Sequence, residues 1–93
     1  MKRYITRGVH ESIHSGLQSV IWDALNRVNT DLDYLQIFSL KCYGESLTII
    51  EHNQEQPKFS QVIYVPNFIV TNEMKVYIVV EGTTATMMLA EEY

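Results

Sequence analysis

The stretch that decides the fold is a C-terminal hairpin, where residues 74–90 read MKVYIVVEGTTATMMLA. Side chains alternate between the two faces of a strand, so the first half of this stretch predicts one apolar row. That row is formed by Val76, Ile78 and Val80. Gly82-Thr83 supplies a tight turn, which separates a strand over residues 74–81 from a strand over residues 84–90.

Three more strands are predicted upstream, over residues 33–43, 46–52 and 59–65, because these segments are rich in aromatic and aliphatic residues. Gly44-Glu45 indicates a two-residue hairpin loop between the first two of them. Residues 3–9 are expected to add an N-terminal strand. The sequence therefore predicts a mainly antiparallel sheet of five or six strands.

An amphipathic helix near the N-terminus is predicted over residues 15–28. Its apolar residues recur with the spacing of one helical face, and they are Ile13, Leu17, Val20, Ile21, Ala24, Leu25 and Val28. Ser15 and Gln18 have the spacing of a capping box, which starts the helix near Gly16. One helix packed on this sheet is an α+β fold. We expect a single domain over residues 1–93, since domains usually have roughly 100–150 residues.

The predicted sheet has apolar side chains on both faces. Val62 and Tyr64 point to the face opposite Ile63 and Val65. Tyr77 likewise points to the face opposite the apolar row that contains Val76. Five strands at ~4.8 Å spacing are about 24 Å wide, whereas a helix is only ~10–12 Å across. One helix cannot cover both faces, so either the sheet curls around its own core or a second copy covers the free face. We expect a homodimer.

The charge balance limits the classes of partner. Seven Lys and Arg residues against eleven Asp and Glu residues give a net charge of −4. Nucleic acids and anionic membrane surfaces are disfavoured, because phosphate contacts need clustered cations. The longest apolar run, residues 76–80, is far shorter than the ~20 residues of a membrane-spanning helix. The lone Cys42 and an N-terminus without an apolar signal segment predict a cytoplasmic protein.

One short motif suggests catalysis. Residues 10–14 read HESIH, the pattern in which two histidines one helical turn apart bind zinc and the glutamate acts as general base. A zinc-dependent hydrolase would use His10 and His14 as ligands and Glu11 as base, and the fold would have to bring His52 or Glu73 to the site as a third ligand. The predicted start of the helix after this motif weighs against that reading. The zinc hydrolase is therefore the alternative, and no cofactor is the main expectation.

The main functional expectation is a non-enzymatic binding or interaction module that self-associates. No phosphate-binding glycine loop and no nucleophile motif is present in the sequence. The candidate binding residues are a polar loop and outward-facing aromatic residues. They are Gln54, Glu55, Gln56, Tyr64, Phe68 and Tyr77. The partners expected are a second copy of the chain or another protein.

Several segments carry a family resemblance. They are residues 3–9 (RYITRGV), Gln18 and Trp22, residues 33–36 (DYLQ), residues 54–57 (QEQP) and residues 86–93 (TMMLAEEY). Together they resemble the family catalogued as domain of unknown function 960, small proteins of Firmicute bacteria. The resemblance spans nearly the whole chain and implies a complete small polypeptide. It implies no particular activity, cofactor or catalytic residue.

Overall fold

The computed structural model describes all residues from Met1 to Tyr93. It has six strands and two α-helices, followed by a short 3₁₀ turn. The strands are β1 (Lys2–Ile5), β2 (Leu35–Tyr43), β3 (Leu47–Gln54), β4 (Phe59–Pro66), β5 (Met74–Glu81) and β6 (Thr84–Leu89). The helices are α1 (Arg7–Ser12) and α2 (Ser15–Asn26), and the 3₁₀ turn is Ala90–Glu92. The α+β class predicted from the sequence is confirmed.

All six strands form one open sheet in the order β1-β6-β5-β2-β3-β4. Strand β1 runs parallel to β6, and the other neighbouring strands are antiparallel. The sheet is therefore mixed, which corrects the expectation of a mainly antiparallel sheet. The reason is that β1 pairs with the last strand of the chain. Local turn signals cannot reveal such a distant pairing.

The N-terminal region contains a helix where a strand was expected. The predicted strand over residues 3–9 ends at Ile5, because the Thr6 hydroxyl accepts a hydrogen bond from the Val9 N–H and caps α1. Val9 is the buried residue of this short helix. The fold therefore has two helices, and the prediction of one helix is wrong.

The start of α2 uses a different cap from the expected Ser15–Gln18 box. The side chain of His14 accepts a hydrogen bond from the Gly16 N–H at 2.9 Å. Gln18 Nε2 donates to the carbonyl oxygen of Ile13 at 2.8 Å. The helix still begins within one residue of the predicted start, because both bonds satisfy polar groups at the helix entrance.

The hairpin turn between β2 and β3 is longer than expected. Tyr43 pairs with Leu47, so residues 44–46 form a three-residue loop. Gly44 has φ +68°, a left-handed conformation that glycine adopts without strain. The turn between β5 and β6 has two residues, since Glu81 pairs with Thr84.

The hydrophobic core lies between α2 and one face of the sheet, which we call the inner face. It contains 16 buried residues. They include Ile13, Leu17, Ile21 and Leu25 from the helical region and Phe38, Leu40, Ile50, Val76, Ile78 and Met87 from the strands. Arg3 of β1 also reaches this side, where its guanidinium lies 5.0 Å from the centre of the Trp22 ring. The helices cover the inner face only.

The C-terminal turn is attached to α1 by the carboxylate of Glu92. This carboxylate accepts hydrogen bonds from Thr6 Oγ1 at 2.6 Å, from the Leu89 N–H at 2.8 Å and from the Gly8 N–H at 3.3 Å. The bonds from Thr6 and Leu89 lower the pKa of Glu92 below its ordinary value. The two ends of the chain are therefore held together at one edge of the sheet.

Candidate functional site

The face of the sheet opposite the helices, which we call the outer face, carries two apolar clusters. Residues that pair across strands share a face, so the strand register defines its members. The first cluster contains Tyr4, Leu35, Ile37, Tyr77, Val79 and Met88. The second contains Tyr43, Leu47, Ile49, Val62 and Tyr64. Tyr64 is 65% exposed and Val62 is 52% exposed, so the sheet does not cover this face with its own residues.

Every tyrosine of the chain lies on or beside the outer face. Four of the six tyrosines belong to the two apolar clusters. The other two, Tyr34 and Tyr93, join the first cluster at its corner. The Tyr93 ring packs edge-on against Tyr77 with 5.3 Å between ring centres, and its hydroxyl donates to Tyr34 Oη at 3.5 Å. This hydrogen bond is the main reason that the pKa of Tyr93 is raised. Tyrosine is enriched at protein interfaces, because it combines a large apolar ring with a polar end.

A polar row separates the two apolar clusters. Ser39 of β2 pairs with Lys75 of β5 on one side and with Glu51 of β3 on the other. Neither charged residue has an ion-pair partner, since the one salt bridge of the chain joins Arg7 to Glu11. Lys75 is exposed and Glu51 is half-buried. This row therefore carries one unpaired cation and one unpaired anion on opposite sides of a serine, and Lys2, Lys41 and Glu81 occupy other positions of the outer face.

A surface hollow of about 220 Å³ adjoins this row. It forms where β5 begins at Met74 while β2 continues to Tyr43. Its lining includes Lys41, Lys75 and Glu73. The hollow is small and open, and it brings an acidic side chain close to two lysines.

A buried polar cluster, formed by Gln36, His52, Gln54 and Gln61, lies on the inner face. His52 Nε2 is 2.7 Å from Gln36 Oε1, and His52 Nδ1 is 2.9 Å from Gln61 Nε2. The His52 ring is fully buried and stacks on Phe38 with 4.1 Å between ring centres. The cluster links β2, β3 and β4 beneath the end of α2.

The hydrogen bonds of the two glutamines determine the protonation state of His52. Gln61 Nε2 also donates to the Ala24 carbonyl at 2.9 Å, and Gln36 Nε2 donates to the Asp33 carbonyl at 2.9 Å. These carbonyls fix the orientation of both amides. His52 Nδ1 therefore accepts from Gln61, and Nε2 donates to Gln36, which only the neutral imidazole can do. Burial lowers the pKa of His52 to about 4.

Gln54 extends the cluster toward the loop that follows α2. Its Oε1 accepts from Gln36 Nε2 at 2.7 Å and from the Asp33 N–H at 3.1 Å. Its amide nitrogen has three acceptor oxygens within hydrogen-bond distance, Thr30 Oγ1 at 3.1 Å, Asp31 O at 2.9 Å and Pro57 O at 2.7 Å, so one of its two N–H groups is shared between two of them. No buried side-chain nitrogen or oxygen lacks a hydrogen-bond partner. The cluster thus fixes loops to the sheet and leaves no free polar atom for a ligand.

The structure separates the three histidines that the zinc hypothesis would combine. His10 is exposed on α1, and the ring of His14 caps α2 after the break between the helices. His52 lies in the buried polar cluster, and Glu11 pairs with Arg7 at 2.9 Å. No group of three or more His, Cys, Asp or Glu side chains is arranged to hold a metal ion.

The predicted binding residues fall into three places. Tyr64 and Tyr77 both lie on the outer face. Glu55 and Gln56 are exposed in the β3–β4 loop, whereas Gln54 is only 2% exposed. Phe68 lies on the helix side, where its ring is 5.0 Å from that of His14.

Sequence reasoning missed the polar row and four of the six tyrosines. The signal for the row was available, because Lys75, Ser39 and Glu51 all occupy positions that alternate with core residues. Their registration across three strands, however, depends on the pairing of β2 with β5, which are distant in sequence. Tyr4 and Tyr93 were missed because β1 and the C-terminal turn reach the face only in the folded chain.

These features define a small α+β protein with an open mixed sheet, helices on one face and a tyrosine-rich opposite face. Neither helix has the length and apolar character needed to cross a membrane. The chain belongs to the family described as Staphylococcal protein of unknown function (DUF960), whose model matches residues 2–92.

A solved structure has the same fold. It is a crystal structure of a protein of unknown function from Enterococcus faecalis, with 25% sequence identity and a TM-score of 0.84. The match covers 99% of this chain and 90% of that chain. No curated protein matches the chain.

Proposed function

We propose that this protein is a non-enzymatic interaction module that binds a second copy of itself through the outer face. The observation that carries the proposal is the location of all six tyrosines on or beside the helix-free face. Large exposed apolar patches on a folded chain mark interaction surfaces.

The size of the outer face suits a dimer. Six strands at ~4.8 Å spacing, with an average of about seven residues at ~3.3 Å each, give a projected area of roughly 670 Å². A stable protein interface buries about 800 Å² of accessible surface per partner, and the accessible surface of a face covered by side chains exceeds its flat projection. One outer face therefore offers about the area that one partner must contribute.

Charge and compartment support a protein partner. The net charge of −4 opposes binding to phosphate-rich surfaces. Cys42 is free and exposed, which suits a reducing environment, and we therefore place the protein in the cytoplasm.

Sedimentation of the full chain across the micromolar range tests the proposal. We expect a monomer–dimer equilibrium that Tyr64→Ser weakens roughly 10- to 100-fold, since interface tyrosines are frequent hot spots. Arg27→Ser is the matched control, because Arg27 is exposed at the end of α2 on the helix side and its removal leaves the outer face intact. A wild-type chain that stays monomeric, or two variants that weaken the dimer equally, would contradict the proposal.

A further inference from the structure

The two edges of the open sheet are protected to different degrees. Strand β1 has only four residues, and it begins with the two cations Lys2 and Arg3. Short edge strands and charged side chains are common means by which proteins prevent other chains from pairing with an open edge. Strand β4, at the opposite edge, has eight residues and no charged side chain. The β4 edge therefore lacks the protection that the β1 edge has.

The backbone groups of β4 that point away from β3 have no partner within the chain. The Asn67 N–H donates to the Ser46 carbonyl at 2.8 Å, and these two residues continue the register between β4 and β3. Hydrogen-bonded and non-hydrogen-bonded pairs alternate along an antiparallel ladder, so the odd-numbered residues of β4 bond to β3 and the even-numbered residues face outward. The outward residues are Ser60, Val62, Tyr64 and Pro66, and no other strand or loop pairs with their backbone.

We propose that β4 pairs with β4 of a second copy, antiparallel and around a two-fold axis at Ile63, so that two six-stranded sheets join into one continuous sheet. In this register Val62 lies opposite Tyr64 of the second copy, and the two residues exchange both of their backbone hydrogen bonds. The Ser60 N–H donates to the carbonyl of Pro66 of the second copy. About six backbone hydrogen bonds therefore join the two copies.

The side chains favour this register over its neighbours. An axis at Ile63 sets Val62 beside Tyr64 on the outer face and Ile63 beside its own copy on the inner face. Pairs of aromatic and β-branched residues across strands stabilise a sheet. An axis at Val62 would instead place Tyr64 opposite Ser60, a small polar side chain. An axis at Tyr64 would leave only about four hydrogen bonds, because the strand ends at Pro66, which has no N–H to donate.

Charged side chains stay away from the proposed joint. Glu51 of β3 lies opposite Val62, and strand spacing separates the two Glu51 residues by about 16 Å, beyond the ~8 Å screening length at physiological ionic strength. Lys58 precedes β4 and falls at the far ends of the joined strands. The second apolar cluster, which ends at Val62 and Tyr64, continues into the same cluster of the second copy. A second copy therefore complements this edge on both sides of the strand.

This pairing goes beyond the proposed function and does not depend on it, because it uses the edge of the sheet and leaves the outer face free. The joint involves one strand of each copy, so it buries much less than the ~800 Å² that each partner of a stable interface contributes. We therefore expect it to form at higher protein concentrations than the outer-face dimer. Its axis is perpendicular to the sheet, whereas the axis of a face-to-face dimer lies in the plane of the sheet, so the two contacts together give an assembly of four chains.

Disulfide cross-linking tests the register directly. The two Ile63 residues would form a non-hydrogen-bonded pair with Cα atoms about 4.5 Å apart, a separation that suits a disulfide. In a chain whose exposed Cys42 is replaced by serine, Ile63→Cys should form a linked dimer under mild oxidation. Lys58→Cys is the control, because Lys58 is exposed but would lie about 30 Å from its copy. An outer-face dimer cannot link residue 63, which is on the inner face.

A matched pair of variants at Ser60 tests the backbone ladder. Ser60→Pro removes an outward N–H and leaves every hydrogen bond between β4 and β3 in place. Combined with Ile63→Cys, it should lower the yield of linked dimer roughly 10- to 100-fold, whereas Ser60→Ala keeps the N–H and should cross-link as well as its parent. Without the cysteine, sedimentation at high concentration should show the four-chain species for Ser60→Ala and not for Ser60→Pro. Circular dichroism verifies that each variant is folded.

Two results would overturn the inference. One is a folded Ile63→Cys chain that links no better than Lys58→Cys at concentrations up to about 1 mM. The other is equal association of Ser60→Pro and Ser60→Ala in both assays. Either result would leave the β4 edge to an extended segment of another protein. A chain that still forms the outer-face dimer in these experiments would retain the proposed function while this inference fails.

Discussion

Acidification should destabilise this protein through His52. In the folded chain His52 is a buried, neutral imidazole whose pKa is lowered to about 4 from an ordinary value of 6.5. The unfolded chain takes up this proton first as the pH falls. The contribution of His52 to stability is therefore complete above about pH 6.5, declines as the pH falls toward 4, and levels off below that.

The magnitude follows from the difference between the two pKa values. One pKa unit corresponds to about 1.4 kcal/mol, so His52 should account for the loss of about 3 kcal/mol between pH 7 and pH 4. Domains of this size have a free energy of unfolding of only about 5–15 kcal/mol. Protonation of this one side chain is thus expected to remove a large part of the free energy of unfolding.

Urea unfolding across this pH range measures the effect. His52→Phe keeps an aromatic ring beside Phe38 but leaves Gln36 and Gln61 each without one hydrogen-bond partner, so it should cost about 1–3 kcal/mol at pH 7. The variant has no proton to take up at this position. The difference in free energy of unfolding between the wild type and the variant should therefore decrease as the pH falls and vanish near pH 4.

The exposed His10 provides the control, since His10→Gln removes an imidazole without touching the buried cluster. This variant should follow the wild-type pH dependence. Parallel curves for the wild type and His52→Phe between pH 6.5 and 4 would refute the reasoning. So would an NMR titration that shows His52 protonating near its ordinary value in the folded chain.

Two further predictions concern the helix entrance and the C-terminal turn. Gly16→Ala would place a methyl group 2.5 Å from Phe68 Cζ. We therefore expect the urea midpoint to fall and the free energy of unfolding to decrease by about 1–3 kcal/mol. This is the opposite of the stabilisation that replacing glycine by alanine usually gives within a helix. Glu92→Gln should make the free energy of unfolding depend less on pH in the acidic range. The hydrogen bond from the Thr6 hydroxyl is the main cause of the lowered pKa of Glu92, and the stabilisation that the ionised Glu92 provides is lost as the pH falls below the ordinary glutamate range. Amide hydrogen exchange at Gly8 should be faster in Glu92→Gln than in the wild type at neutral pH, because the Gly8 N–H loses its charged acceptor, and an unchanged exchange rate would contradict this prediction.

The parts of the fold that the sequence predicts are those with local signals. The alternation in β5 and the helical spacing in α2 both come from residues close together in the chain. The parallel pairing of β1 with β6 could not be predicted, because its partners are about 80 residues apart and no turn links them. Helix α1 has a single buried residue, Val9, so it has no apolar periodicity to detect.

The buried polar cluster could not be predicted from the sequence for a different reason. The sequence predicts Gln54 in a surface loop, because glutamine is usually exposed. Its burial is tolerated because Gln36 and the backbone at residues 31, 33 and 57 complete its hydrogen bonds. These partners come together only when the loop after α2 folds onto β3. The alternation of side chains within each strand predicts that the tyrosines of the outer face are exposed. That they lie together on one face could not be predicted without knowing the order of the strands in the sheet.

The orientation of β3 connects the buried cluster to the outer face. Apolar residues alone do not decide which side of this strand meets α2, since Leu47 and Ile49 point one way and Ile50 points the other. A slip of one residue would exchange the two faces. It would remove His52 and Gln54 from their hydrogen-bond partners and bury Glu51 without a cation, which is strongly unfavourable. The cluster therefore fixes the register of β3, and the same register holds Glu51 beside Ser39 on the outer face. The network that specifies the fold thus also determines the charge pattern available to a second copy.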